Sequence, residues 1–256
     1  MNQVDLNSDL GESFGAYTIG QDENVLPFVT SANIACGFHA GDPLVMQRTI
    51  ALAVKNHVAV GAHPGLPDLV GFGRRKMDIT PQEAYAMVLY QVGALQAFAR
   101  AAGISLQHVK PHGALYNMAA VNRLLAEAIA SAVHDISPHL TLVGLAGSEL
   151  IRAGESAGIP VVNEVFADRT YQPDGTLTPR SRSNAVIRDK EQAVSQVLDM
   201  ILKGKVAAVN GTEVPVQADT VCVHGDTPSA LLFTETLKIK LQEAGVAVQA
   251  YGRNNE

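Results

Sequence analysis

The chain has 256 residues, 47% of them hydrophobic and 17% charged, with a formal net charge of −6. That balance excludes a disordered or fibrous chain and suits a compact α/β protein. It offers no basic stripe for a phosphate backbone and no apolar run near the ~18 residues that cross a bilayer, so neither nucleic acid nor a membrane is an expected partner.

The N-terminal stretch MNQVDLNSDL has neither the basic nor the apolar region of an export signal, which makes a cytoplasmic location the expectation. Short apolar runs then alternate with longer amphipathic ones, the pattern of βα units around a parallel sheet. Strands are expected at 4–9, 31–37, 58–63, 106–112, 140–146, 160–168 and 220–225, with a more weakly patterned candidate at 246–251. Asp42-Pro43 caps one helix, and Thr80-Pro81-Gln82-Glu83 forms a capping box for another that runs to Gly103. Further helices are expected at 119–134, 148–157, 189–203 and 228–244, the last three followed by Gly158, Gly204 and Gly245. In 205–218, Asn210-Gly211 between two β-like runs predicts a hairpin with a type I′ turn. No repeat or linker interrupts the pattern, so residues 1–256 are read as one catalytic domain, either a closed barrel or a doubly wound sheet. The Gly- and Pro-rich stretch 61–81 reads as an active-site loop. Cys36 and Cys222 are too few for a disulfide scaffold and read as small buried residues.

Because side chains alternate across a strand, the strand ends can be sorted by face. Asn7 with Asp9, Asn33 with His39, Gly61 with His63, and His108 with Lys110 and His112 fall on shared faces. Glu164 with Asp168, and Cys222 with His224 and Asp226, do the same. Six strands thus send polar groups to the end of a parallel sheet where ligands bind. His39, His63, His112 and His224 are each followed by small or kinked residues that leave an imidazole facing a cavity; His57, His108, His134 and His139 suit structural roles.

Two uses of these histidines stay open. With Asp9, Asp42 or Asp226 they would suit zinc or another divalent ion that activates water, Asp9, His39 and His63 being the leading ligands. Alternatively they are hydrogen-bonded in a polar pocket without metal; no H-E-x-x-H or C-x-x-C spacing decides between the two. Lys110, inside an apolar strand, needs an anion: either a ligand or an ion-pair partner such as Glu164 or Asp168. Arg74 and Arg75 in GFGRRK are placed to clamp an anionic substrate or to sit in solvent. The chain has no G-x-x-x-x-G-K-[ST], no complete dinucleotide fingerprint and no G-x-S-x-G elbow.

Read together, DLNSDLGESFG (5–15), NIACGFHAGD (33–42), GAHPGLPDLVGFGRR (61–75), VKPHGALYN (109–117), NEVFADRTY (163–171) and VCVHGD (221–226) resemble the LamB/YcsF family from residue 4 to about 245. One departure is Ser8, where many relatives have cysteine. The resemblance implies a (β/α) barrel of seven parallel strands, related to glycoside hydrolase and deacetylase barrels, with the hairpin as an insertion. It implies hydrolysis of 5-oxo-L-proline to L-glutamate coupled to ATP, with Mg2+ accompanying the nucleotide and with separate B and C subunits of a 5-oxoprolinase. A homo-oligomer stays open. Asp9, His39, His63, Lys110, His112 and His224 are then the candidate catalytic residues. Asn7, Glu12, Asp42, Arg74, Arg75, Glu164, Asp168, Arg169 and Asp226 are candidates for binding substrate. In this reading Asp9 or His112 is the general base, and His39, His63 or His224 the acid or oxyanion donor. The alternatives are a stand-alone metal-dependent amidohydrolase or deacetylase, and a non-catalytic substrate-binding subunit.

Overall fold

In QVDLNSDL apolar and polar residues alternate, and the segment forms β1 (Gln3–Leu10) with one face under helices and the other on a polar axis. The computed structural model describes residues 2–223 and 228–252. After β1 come α1 (Asp22–Val25), β2 (Ser31–Ala35), α2 (Pro43–Lys55), β3 (Ala59–His63), α3 (Pro81–Ala101), β4 (His108–Val109), α4 (Gly113–Ala119) and α5 (Arg123–Ile136). Then follow β5 (Thr141–Leu145), α6 (Glu149–Ser156), β6 (Val161–Phe166), α7 (Lys190–Lys203), β7 (Lys205–Ala207), β8 (Glu213–Pro215), β9 (Thr220–Cys222), α8 (Pro228–Glu243) and β10 (Ala247–Val248).

Strands β1 to β6 and β9 are parallel neighbours, and β9 pairs back onto β1, closing a seven-stranded barrel. Strand β10 lies outside it, parallel to β1. The choice between closed barrel and open sheet, undecided by periodicity, is settled by the Asp5–Asn7 pairing with Thr220–Cys222. Val4, Leu6 and Leu10 of β1 join the apolar layer between strands and helices. In α5, Leu125, Ile129 and Val133 recur at helical spacing and bury the same stripe.

The barrel axis is polar instead. Asp5 accepts hydrogen bonds from the hydroxyls of Thr30, Ser31 and Thr220. Above it Asn7 donates to Thr220 Oγ1 (2.7 Å), Asn33 donates to Asn7 Oδ1 (2.8 Å), and His108 Nε2–H donates to Asn33 Oδ1 (2.7 Å). Each buried polar atom in this column meets a partner, which is what keeps such an interior affordable. His108 occupies the axis because Gly61 opposite has no side chain: a Cβ there would lie 2.1 Å from the imidazole. Gly61→Ala is therefore expected to destabilise the fold by about 1–3 kcal/mol, as overpacking does. An unchanged midpoint in urea unfolding would show that His108 is free to move aside.

Burial raises the Asp5 carboxyl above its ordinary value against the pull of the Ser31, Thr220 and Thr30 hydroxyls, and Glu164 adds to the rise. A raised carboxyl binds its proton more tightly folded than unfolded. Its contribution is complete below the unfolded pKa of about 4 and is lost as pH rises through the folded value. Asp5→Asn should then gain stability relative to the parent between acidic and neutral pH; parallel pH profiles of urea unfolding for the two proteins would contradict this.

Three sequence expectations need correction. The helix expected at 119–134 starts four residues later, as α5: the backbone turns after Ala119, where the shorter α4 ends, and Asn122 caps α5 by accepting from Leu125 N (3.2 Å). The strand expected at 106–112 pairs as a ladder only over His108–Val109, although Lys110 N still donates to Ala62 O (2.9 Å) and His112 N to Pro64 O (2.8 Å). Pro111 between them has no N–H to contribute. The hairpin forms, but Gly211 alone of the Asn-Gly pair has positive φ, at 85°. Gly211 N donates to Ala208 O and Ala208 N to Thr212 O, which makes a three-residue turn closed by a glycine bulge rather than type I′.

Candidate active site

The C-terminal ends of the barrel strands open into a cavity of about 770 Å³, a size typical of small-molecule sites. Asp9 reaches it from β1, His63 from β3, Lys110 and His112 from just beyond β4, and Phe166 from β6. Its wall is completed by Phe72 and Arg74 of the β3–α3 loop, Tyr116 of α4, and the 174–181 segment between β6 and α7.

Lys110 is buried, and the surroundings answer its charge. Its Nζ lies 2.6 Å from Glu164 Oε1 and 3.0 Å from Asp9 Oδ1, and donates to Asn7 Oδ1 at 3.1 Å. Burial works against the ammonium, but Asp9 and Glu164 outweigh it and hold Lys110 well above the ordinary lysine range. The ion pair with Glu164 is thus formed. Glu164 also accepts from Tyr116 Oη (2.6 Å), fixing that ring at the cavity edge. Asp9 accepts from Asn33 at 2.9 Å. Burial alone would raise its carboxyl; His63 and Lys110 outweigh it and hold Asp9 well below the usual carboxylate range.

The histidines stand beside Asp9. His63 Nε2 is 3.3 Å from Asp9 Oδ2 and 2.9 Å from His112 Nδ1. His39 stacks on His112 with ring centroids 3.7 Å apart and planes 4° apart. Glu12 Oε1 lies 3.6 Å from His39 Nε2 and 3.8 Å from His112 Nδ1. Burial first, and then the neighbouring imidazoles, hold His39 and His112 well below their ordinary value. Two glycines make this packing possible. A Cβ on Gly65 would meet the His39 ring at 2.5 Å, and one on Gly73 would lie 2.7 Å from His39 and 2.8 Å from His112. Phe72 has a positive φ of 54°, a rare state for a bulky residue, and its carbonyl accepts from His112 Nε2–H at 2.8 Å.

Other sequence candidates are placed differently. Asn7 lies under the cavity floor, in the polar column, and Glu164 is buried behind Lys110. Asp42 caps α2, accepting from Leu44 N (2.9 Å) and Val45 N (3.0 Å), and from Gly15 N (2.8 Å), away from the cavity. Arg75 is bonded to Asp68 in its own loop, whereas Arg74 lines the cavity. Asp168 is half-buried outside the lining, and Arg169 lines it while donating to Ala185 O (3.1 Å) and Thr178 O (2.6 Å). Burial brings the Arg169 pKa down to about 10. His224 and Asp226 lie outside the described residues. Sequence reasoning missed Phe72, Tyr116, Phe166 and the 174–181 wall. The long stretch between 168 and 189 was a usable signal, of the same kind as 61–81.

A parallel (β/α) barrel carrying on its C-terminal rim a cavity lined by carboxylates, imidazoles and cationic side chains is the class of protein that fold and site define. The chain belongs to the LamB/YcsF family, whose model matches residues 4–256. It is 61% identical over 251 residues to the 5-oxoprolinase A subunit of Bacillus licheniformis, covering 98% of this chain and 99% of that protein. The 5-oxoprolinase A subunit of Tolumonas auensis is 61% identical over 250 residues, covering 98% and 100%. The crystal structure of the lactam utilization protein from Thermus thermophilus superposes with a TM-score of 0.91 at 50% identity, covering 97% of this chain and 100% of that one. Among the described residues no helix is long and apolar enough to cross a membrane.

Proposed function

We propose that this chain is the A subunit of an ATP-dependent 5-oxoprolinase, opening the lactam of 5-oxo-L-proline to L-glutamate together with separate B and C subunits. The observation that carries the reading is Asp9 and His63, 3.3 Å apart on the floor of a cavity whose wall holds Arg74, Lys76, Arg169 and Arg180. The full-length similarity to proteins of that name supports it. A five-membered lactam is a resonance-stabilised amide, and Asp9, held ionised well below the usual range, is a weak base toward water. Activation of the carbonyl must then carry the reaction. Phosphoryl transfer from ATP to the lactam oxygen makes the carbon electrophilic; one water attacks it, the C–N bond breaks to give the amine and an acyl phosphate, and a second water hydrolyses that acyl phosphate to the side-chain carboxylate and inorganic phosphate. Asp9 orients the water and accepts its proton, while the arginines of the wall hold carboxylate and phosphoryl charge.

The test is reconstitution of the full chain with candidate B and C subunits and measurement of glutamate formed from 5-oxoproline with and without ATP. Product that depends on ATP and on this chain supports the reading, and no ATP-dependent product rejects it. Turnover that survives Asp9 and His63 substitutions at saturating substrate would assign the chain a substrate-binding role instead.

A further inference from the structure

The cavity floor carries an arrangement that hydrogen bonding alone leaves unresolved. His63 Nδ1 lies 2.7 Å from the Lys110 carbonyl oxygen, and His112 Nε2 lies 2.8 Å from that of Phe72. A carbonyl only accepts, so each of those nitrogens carries the ring hydrogen. In the neutral rings the remaining nitrogens, His63 Nε2 and His112 Nδ1, are then both lone pairs. They face each other at 2.9 Å. Two lone pairs at that separation repel unless a positive centre lies between or beside them.

Three further observations bear on which positive centre it is. Ligand atoms of Glu12, His39, His63 and His112 all lie within 4.8 Å of one another, and the three histidines are buried. Zn–N bonds of about 2.0–2.1 Å put tetrahedral ligand atoms about 3.4 Å apart. The separations of 2.9 Å for His63–His112, 3.6 Å for His39–Glu12 and 3.8 Å for His112–Glu12 bracket that spacing. Neither ring nitrogen of His39 has a hydrogen-bond partner among the described residues, although the side chain is 0% exposed. Finally, carboxylates adjoin the facing pair: Asp9 Oδ2 lies 3.3 Å from His63 Nε2 and Glu12 Oε1 3.8 Å from His112 Nδ1. Imidazole nitrogens with a carboxylate beside them are a donor set that a divalent ion binds.

We infer that Glu12, His39, His63 and His112 form a divalent-cation site, with His63 Nε2 and His112 Nδ1 as its fixed pair and zinc as the ion the three-nitrogen, one-oxygen set favours. The Lys110 and Phe72 carbonyls act as the outer partners that orient ligand histidines in metal sites. Asp9, against His63, remains the carboxylate beside the ion. The site follows from this chain's geometry and does not depend on the reaction proposed above.

The experiment uses the isolated full-length chain, with neither partner subunits nor 5-oxoproline, so its failure is separable from failure of the functional reading. Protein stripped with EDTA is titrated with Zn2+ by calorimetry and with Co2+ by visible absorption. The expected result is uptake of about one ion per chain, with Co2+ giving the intense visible bands of a tetrahedral nitrogen-rich site. Zn2+ should raise the melting temperature, and EDTA should reverse the rise, because only the folded chain presents the site. His63→Gln and His112→Gln should each weaken binding by more than the roughly 10–100-fold that loss of an outer partner costs. If those variants fail to fold, the Co2+ spectrum and melting shift of the unaltered chain still decide the matter. Absence of Zn2+ uptake by that chain, or uptake unchanged in a folded His63→Gln/His112→Gln double variant, overturns the assignment. In the first case, imidazole nitrogen resonances marking a shared proton at neutral pH would identify the centre that takes the ion's place.

Discussion

Replacing Lys110 with methionine is expected to cost about 3–5 kcal/mol of folding stability, the penalty for stranding buried charge. Its ammonium sits 2.6 Å from Glu164 and 3.0 Å from Asp9, and Glu164 is 0% exposed. Methionine fills a similar volume, so the loss is electrostatic rather than a cavity effect. Against a typical total of about 5–15 kcal/mol, such a loss leaves little margin at 37 °C. Combining Lys110→Met with Glu164→Gln should recover a large part of it, because the second change removes the stranded carboxylate. A double-mutant cycle read by urea unfolding measures the coupling. Additive effects of the two substitutions would mean that the pair is not the reason this lysine tolerates burial.

The second large effect is kinetic. Asp9→Asn keeps the size of the side chain and an oxygen for Lys110 Nζ and Asn33 Nδ2, but gives up the stabilisation of a carboxylate held well below its ordinary range, so its kinetics are read on protein shown by urea unfolding to be folded. It removes the negative charge beside His63 and the group assigned to accept the water proton. Glutamate formation by the assembled enzyme is expected to drop by about 10²–10⁴, the usual range for losing a positioned acid or base. A turnover number within a few-fold of the parent would remove Asp9 from the chemistry and leave it a purely electrostatic partner of Lys110.

The residues that meet in the cavity were legible where strand geometry governs them. Asp9, His63 and Lys110 follow from alternation at the ends of parallel strands, and they converge as alternation requires. His39 and His112 lie past the last ladder residue; His112 still lines the cavity and His39 stacks on it, because Gly65 and Gly73 leave room for their rings. The strand rule could not place Asp42 or Arg75, whose fates depend on which loop folds against them. One is spent on a helix cap and the other on Asp68. Tyr116 was out of reach for the same reason, since alternation says nothing about a helix start, and the 174–181 wall was signalled only by the length of its crossover. The hairpin shows the limit of a dipeptide signal: Asn210-Gly211 marks the turn, but only the glycine adopts positive φ.

The carbonyl of Phe72 belongs to a residue held in a left-handed backbone state on the loop that joins β3 to α3. Which edge of the His112 ring is basic is therefore dictated from the main chain of a surface crossing, not from the barrel. Loosening that crossing would free the ring to swap its two edges, so the chemistry of the floor is tuned from a loop that contributes no strand to the barrel.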